Sequence, residues 1–160
     1  MATKAIPDGY ATATPYLIIK GAAEAIDFYK RAFGAQELFR MNSPDGGVGH
    51  AEIKIGNSII MLADEHPRMG HRGPRSLGGS AVSIMLYVPD VDAVFESAVK
   101  AGAKAQRPVE NQFYGDRSGT LEDPFGHVWT ISTHVEDVSP DEMKKRAEAA
   151  FKSHGASQSS

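Results

Sequence analysis

The 160-residue chain contains no cysteine. That absence removes disulfides, thiolate catalysis and cysteine-ligated zinc or iron–sulfur centres, so any transition metal would have to be held by His, Asp and Glu. There is no basic excess either: 17 Lys and Arg stand against 20 Asp and Glu, for a net charge of −3. Phosphate binding needs a basic face, so no nucleic-acid partner is expected. No apolar run approaches the roughly 18 residues needed to span a bilayer. Met1–Tyr10 carries one lysine and no hydrophobic stretch, unlike a secretory signal. The expectation is a cytoplasmic protein with no membrane partner. No Ser-His-Asp triad, phosphate loop or dinucleotide fingerprint is readable.

What the chain does have is an internal repeat. A β-rich run at Pro15–Lys20 precedes a segment that ends in Gly34-Ala35, and Ser83–Val88 precedes one that ends in Gly102-Ala103. Ala22, Ala25, Ile26, Tyr29 and Phe33 fall at three- and four-residue spacings, and so do Val91, Val94, Phe95, Ala98 and Val99. Each set makes one apolar helical stripe. Asp90 is a suitable N-cap, and Gly34 and Gly102 are suitable C-caps.

A second echo follows each helix. Ala51–Met61 and Leu121–Ile131 both read as hairpins turning at a glycine, Gly56 or Gly126. Asp123-Pro124-Phe125-Gly126 combines a Pro pre-set for the bend with a Gly free to take positive φ. His127 and Asn57 are expected to bond locally in these turns, and Trp129 to be core. The expected organisation is a first βαβββ module with an N-terminal extension (1–64), a loop (65–80), a second βαβββ module (81–134), and a C-terminal helix and tail (135–160). The loop, with Arg68, His71, Arg72 and Arg75, reads either as a solvated linker or as a cationic lid over a pocket. Ser139-Pro140-Asp141-Glu142 resembles a capping box. The helix it opens carries Met143, Ala147, Ala150 and Phe151 at helical spacing, and Gly155–Ser160 reads as a disordered tail.

Thr14-Pro15-Tyr16-Leu17, Ala25–Tyr29, Gly49-His50-Ala51-Glu52, Gly115–Gly119 and Asp123–Trp129 resemble the vicinal oxygen chelate superfamily, which includes glyoxalase I, extradiol dioxygenases and bleomycin- and fosfomycin-resistance proteins. Within it the chain looks most like the PhnB-like branch. The resemblance covers about Thr14 to His134. It implies an α+β fold in which two βαβββ modules curve their sheets around a cleft, commonly within a homodimer.

Strand alternation then assigns faces. Leu17, Ile19, Ala51, Ile53, Ile55, Ile84, Leu86, Val88, Leu121, Trp129 and Ile131 should lie against the helices. Thr14, Tyr16, Ile18, His50, Glu52, Ser83, Met85, Tyr87, Thr120, Glu122, Val128, Thr130 and Ser132 should face the cleft. Phe113, Tyr114 and Arg117 are candidates to stack and orient a planar ligand, or else to stabilise their own loop. Metal-dependent superfamily members place His or Glu on the first and last strands of each module, which carries over approximately to Thr14, Ile60, Ser83 and Thr130. None is a good divalent-metal ligand. The fallback set is His50, Glu52, Glu122 and His134, whose acids could equally be structural. The expectation is a protein that binds a small molecule in the cleft without metal or other cofactor. The alternatives are a divalent-metal lyase, isomerase or dioxygenase, and a dimeric interaction module with a vestigial cleft.

Overall fold

The computed structural model describes residues 2–156. The first half folds as β1 (Tyr16–Ile19), α1 (Ala22–Phe33), β2 (Gln36–Asn42), β3 (Val48–Ile55) and β4 (Ser58–Asp64). After the short α2 (Pro74–Leu77), the second half follows as β5 (Ser83–Tyr87), α3 (Val91–Ala101), β6 (Lys104–Asn111), β7 (Asp116–Glu122) and β8 (Val128–His134). The last helix is α4 (Pro140–Ala156). The sheets run β1-β4-β3-β2 and β5-β8-β7-β6, so the two halves share one topology. In each, the first strand lies parallel to the last and the remaining pairings are antiparallel. None of the described helices is long and apolar enough to cross a membrane.

The helix stripes bury as their spacing requires, except that Val99, expected in the stripe of α3, is exposed. Ala22, Ala25, Ile26, Phe28, Tyr29 and Ala32 of α1 are buried, as are Val91 and Ala98 of α3. Together with alternate residues of both sheets they form one continuous core. Gly34 ends α1 at φ 66°, and Asp90 caps α3 by accepting the Ala93 N–H at 3.1 Å. α1 begins differently. Asp64, at the end of β4, accepts the N–H groups of Gly21 and Ala22 with one oxygen and that of Val48 with the other. In the second half Thr133 takes this place: its hydroxyl accepts the Val91 N–H at 2.9 Å and donates to the Val88 carbonyl at 2.8 Å. Each last strand thus pins the start of its module's helix.

Four expectations need correction. First, the two hairpins do not turn alike. Ile55 pairs with Ser58 across a two-residue turn, whereas Glu122 pairs with Val128 across five residues. The turns differ by three residues, an odd number, so matching Gly56 to Gly126 reverses the faces, and Ile60 is a core residue paired with Ile53. Second, residues 65–80 are not merely a solvated linker. Gly73 packs so closely on β1 that a Cβ there would stand 2.8 Å from the Ile18 carbonyl oxygen, and Pro74 is buried beside Gly126. Third, the capping box forms only in part: the Ser139 hydroxyl accepts the Glu142 N–H, but the Glu142 carboxylate turns to Arg146. Fourth, α4 continues through Gly155, leaving Phe151 73% exposed, and residues 157–160 of the expected tail lie outside the described residues.

Candidate functional site

The edge strands β1 and β5 come from different modules and flank a cavity of about 720 Å³. Thr14, Tyr16 and Ile18 line one side, and Val82, Ser83 and Met85 the other. Arg72, Pro74 and Leu77 of the connecting segment, with His127 and Val128, complete the walls. Strand alternation accounts for the lining, since the partners of these side chains, Leu17, Ile19 and Leu86, are buried in the core. His127 does not bond only locally. Its Nε2–H donates across the modules to the Ile18 carbonyl at 3.1 Å.

Two polar networks flank the cavity. On the first sheet, His50 bonds Glu52 through Nε2 at 3.2 Å and the Tyr16 hydroxyl through Nδ1 at 2.8 Å. Tyr10, from the segment preceding β1, donates to the other Glu52 oxygen. That bond, assisted by His50, holds the Glu52 carboxyl below its usual range, while the same carboxylate raises the Tyr10 phenol. On the second sheet, Tyr87 donates to Asp116 at 2.8 Å, and His134 bonds Asp116 and Asp137, both at 2.8 Å. The bond to Asp116 first, and then that to Asp137, raise His134 above the ordinary imidazole range. Thr120 meets Thr130 at 3.2 Å, and Ser132 donates to Ser118 at 2.9 Å. These hydroxyl pairs let polar side chains sit on a half-covered sheet face without unpaired atoms. A second cavity of about 580 Å³ opens here, with Met85, Tyr114, Thr120, Thr130 and His154 among its walls.

The expected site residues are therefore distributed. Thr14, Tyr16 and Ser83 meet in the larger cavity, and Tyr114, Thr120 and Thr130 in the second. His50 and Glu52 stand behind Tyr16, and Tyr87 beside Asp116. Glu122 instead accepts from Gln106 and pairs with Arg75, lining a smaller hollow of about 390 Å³. Phe113 lies edge-on to Tyr114, and its carbonyl accepts from Arg146 of α4. Neither large cavity is lined by it. Arg117 lies on the wrong face: β7 sends it with Leu121 toward the helices, where it makes a two-pronged pair with Asp92, both bonds 2.8 Å. Arg72, Leu77 and Val82 join the cavity from a stretch without hydrophobic period, so the only sequence signal for them was the Gly73-Pro74 pair that presses the loop onto β1.

The four fallback metal residues do not converge. His50 and Glu52 are on the first sheet and Glu122 and His134 on the second. His134 lies opposite Asp116, six residues along β7 from Glu122, or roughly 20 Å at about 3.3 Å per residue. Among the described residues no group of three or more His, Cys, Asp or Glu side chains is arranged to hold a metal ion. Of the carried-over positions, Thr14 lies just before β1, Ser83 opens β5 and Thr130 pairs with Met85, while Ile60 is core and its neighbour Met61 pairs with Tyr16. Hydroxyls and a thioether do not fit zinc, iron or nickel as the superfamily binds them.

Comparison with known proteins agrees with this architecture. Over 145 residues, 89% of this chain and 83% of the other, the sequence is 45% identical to protein Rv0887c of Mycobacterium tuberculosis. The crystal structure of the Arabidopsis thaliana At5g48480 product superposes with a TM-score of 0.61 at 27% identity, covering 77% of this chain and 98% of that one. For PA1353 from Pseudomonas aeruginosa the TM-score is 0.64 at 26% identity, over 79% and 99% of the two chains. Residues 11–131 match the profile of the Glyoxalase/Bleomycin resistance protein/Dioxygenase superfamily, and the chain belongs to that superfamily.

Proposed function

We propose that this protein binds a small molecule in the cavity between β1 and β5, without a metal. The observation that carries the reading is the cavity itself. At about 720 Å³ it is the size of a small-molecule site, and its walls are mainly apolar with a few fixed polar groups, Thr14, Tyr16, Ser83 and His127. The donors at Thr14, Met61, Ser83 and Thr130 argue against metal-assisted lyase or dioxygenase chemistry on the superfamily pattern. The PhnB-like branch and a cytoplasmic setting fit the cysteine-free, weakly acidic chain.

Fluorescence titration with N-phenyl-1-naphthylamine, an uncharged apolar probe, tests the reading. Saturable binding to the folded protein is expected. Ser83→Trp, which projects a large ring into the cavity, should weaken it at least tenfold, the effect of roughly 1.4 kcal/mol. Elemental analysis after chelator treatment should find metal only at background. A stoichiometric metal that survives the chelator, or probe binding indifferent to Ser83→Trp, would overturn the proposal.

The same proposal includes a homodimer. Leu38, Phe39, Met41, Met85 and Tyr87 are exposed on one chain, and β2 and β6 are sheet edges. A second chain covering them would remove both apolar surface and unpaired strand edges. Light scattering should give twice the 17.2 kDa chain mass at micromolar concentration, and a monomer would defeat this part.

A further inference from the structure

The proposed cavity has one ionic side chain on its wall, and the backbone beside it is held in place. Among the described residues lining the cavity there is no Asp or Glu, although the chain is acidic overall. Arg72 is the one charged side chain on its wall. The Arg72 guanidinium makes no hydrogen bond or ion pair with the described residues. The acid whose charge it feels is Glu65, but that carboxylate already accepts the Gly73 N–H at 2.7 Å and the Ser76 side chain. Arg75, on the same segment, differs: it is occupied by the Pro124 carbonyl and Glu122. Arg72 cannot swing away with its loop, because the next residue is the Gly73 whose backbone lies hard against Ile18. His66 and His71 close the preceding turn with a reciprocal pair of backbone bonds of 2.9 and 3.2 Å. A guanidinium presents planar donors suited to carboxylate, sulfonate or phosphate oxygens.

We infer that the ligand of this cavity is an amphipathic anion: an apolar, ring-sized body lying between β1 and β5, with one acidic group held at the rim by Arg72. This deepens the small-molecule reading and rests on it. Among the described residues no carboxylate lies on the wall to repel such an anion, whereas a cationic ligand would face Arg72 there.

A matched pair of fluorescent probes tests it on the full-length protein. The first, 1-anilinonaphthalene-8-sulfonate, carries one sulfonate; the second, N-phenyl-1-naphthylamine, has the same aromatic skeleton without it. At low salt the sulfonate should bind about tenfold more tightly, as a charge-assisted contact on a partly screened rim allows, and the advantage should shrink at high salt. Arg72→Gln should bring the sulfonate to the level of the uncharged probe and leave the latter within about twofold. Arg72→Lys should keep part of the preference, and Arg75→Gln should change neither. Equal affinities for the two probes in the unaltered protein would overturn the inference. So would a sulfonate preference that survives Arg72→Gln or falls equally with Arg75→Gln. Because Arg72 is exposed and unbonded, an unchanged melting temperature for its variants confirms that the fold is intact. If Ser83→Trp weakens both probes while Arg72→Gln does nothing, the cavity reading stands and only the anion is lost. If neither probe responds to Ser83→Trp, the cavity reading itself fails.

Discussion

The turn after β3 and the turn after β7 occupy the same place in two modules of identical topology, yet they do opposite things. Gly56-Asn57 is a two-residue bend exposed to water, with Asn57 bonded only to the neighbouring Ser58 hydroxyl. Asp123–His127 is a five-residue loop whose first side chain is 1% exposed. One Asp123 oxygen accepts the backbone N–H groups of Phe125 and His127 at 2.9 and 3.0 Å. The other accepts the Tyr29 hydroxyl at 2.6 Å, from the opposite module, and the Trp129 indole N–H at 2.9 Å. Around that carboxylate, Phe28 meets Phe125 edge-on and Phe33 packs on Trp129 with ring centres 4.8 Å apart. Four donors satisfy the buried charge without a cation, which is how an isolated carboxylate is tolerated in a core. The two modules share one topology, but it is the second hairpin that reaches Tyr29 of the opposite module.

Substitution at the joint should therefore cost far more than at its counterpart. Asp123→Ala strands the Tyr29 hydroxyl, the Trp129 indole and two backbone N–H groups, and should destabilise the protein by about 3–5 kcal/mol in urea unfolding. A loss below about 1 kcal/mol would break the comparison.

A middling effect is expected from pH, with opposite sign on the two sheets. Glu52 has a folded value below its ordinary 4.5, so its contribution is present above that pH and is lost as pH falls through the folded value. Tyr10→Phe, which removes the main donor, should flatten the acid limb of a melting-temperature profile below about pH 4.5. His134 has a folded value above its ordinary 6.5, so its contribution is present below that pH and is lost as pH rises through the folded value. His134→Gln should fall furthest below the parent protein at acid pH, and the gap should narrow above about pH 6.5. Parallel curves for both variants would contradict the two networks.

Smallest of all should be Asn57→Ala. The side chain is exposed and meets only Ser58, so unfolding should shift by no more than about 0.5 kcal/mol.

Periodicity made most of this architecture legible. The stripes of α1 and α3 announce themselves at three- and four-residue spacing, and alternation places Leu17, Ile53, Leu86, Leu121 and Trp129 in the core. Ile60 misleads because matching glycines do not reveal the lengths of the turns around them, and an odd number of residues of difference reverses a strand's faces. Arg117 sits in a stretch with loop-like composition, but β7 runs through it, and alternation from Leu121 carries it to the helix side and to Asp92. Asp123 reads as ordinary turn chemistry because nothing local reveals a tyrosine 94 residues upstream. Among the cations of residues 65–80, no period singles out Arg72. Its position depends on how closely Gly73 approaches β1, which is a tertiary fact.

The Tyr29–Asp123 bond also ties an early segment of the chain to a late one. Synthesis delivers Phe28, Tyr29 and Phe33 long before Phe125 and Trp129 exist to cover them, so the nascent first half carries an aromatic strip with no place to go. Chains that stop early would be sticky rather than half-functional. The halves share one topology, but the aromatic side chains of the first are covered by the second, so a first half alone would expose them.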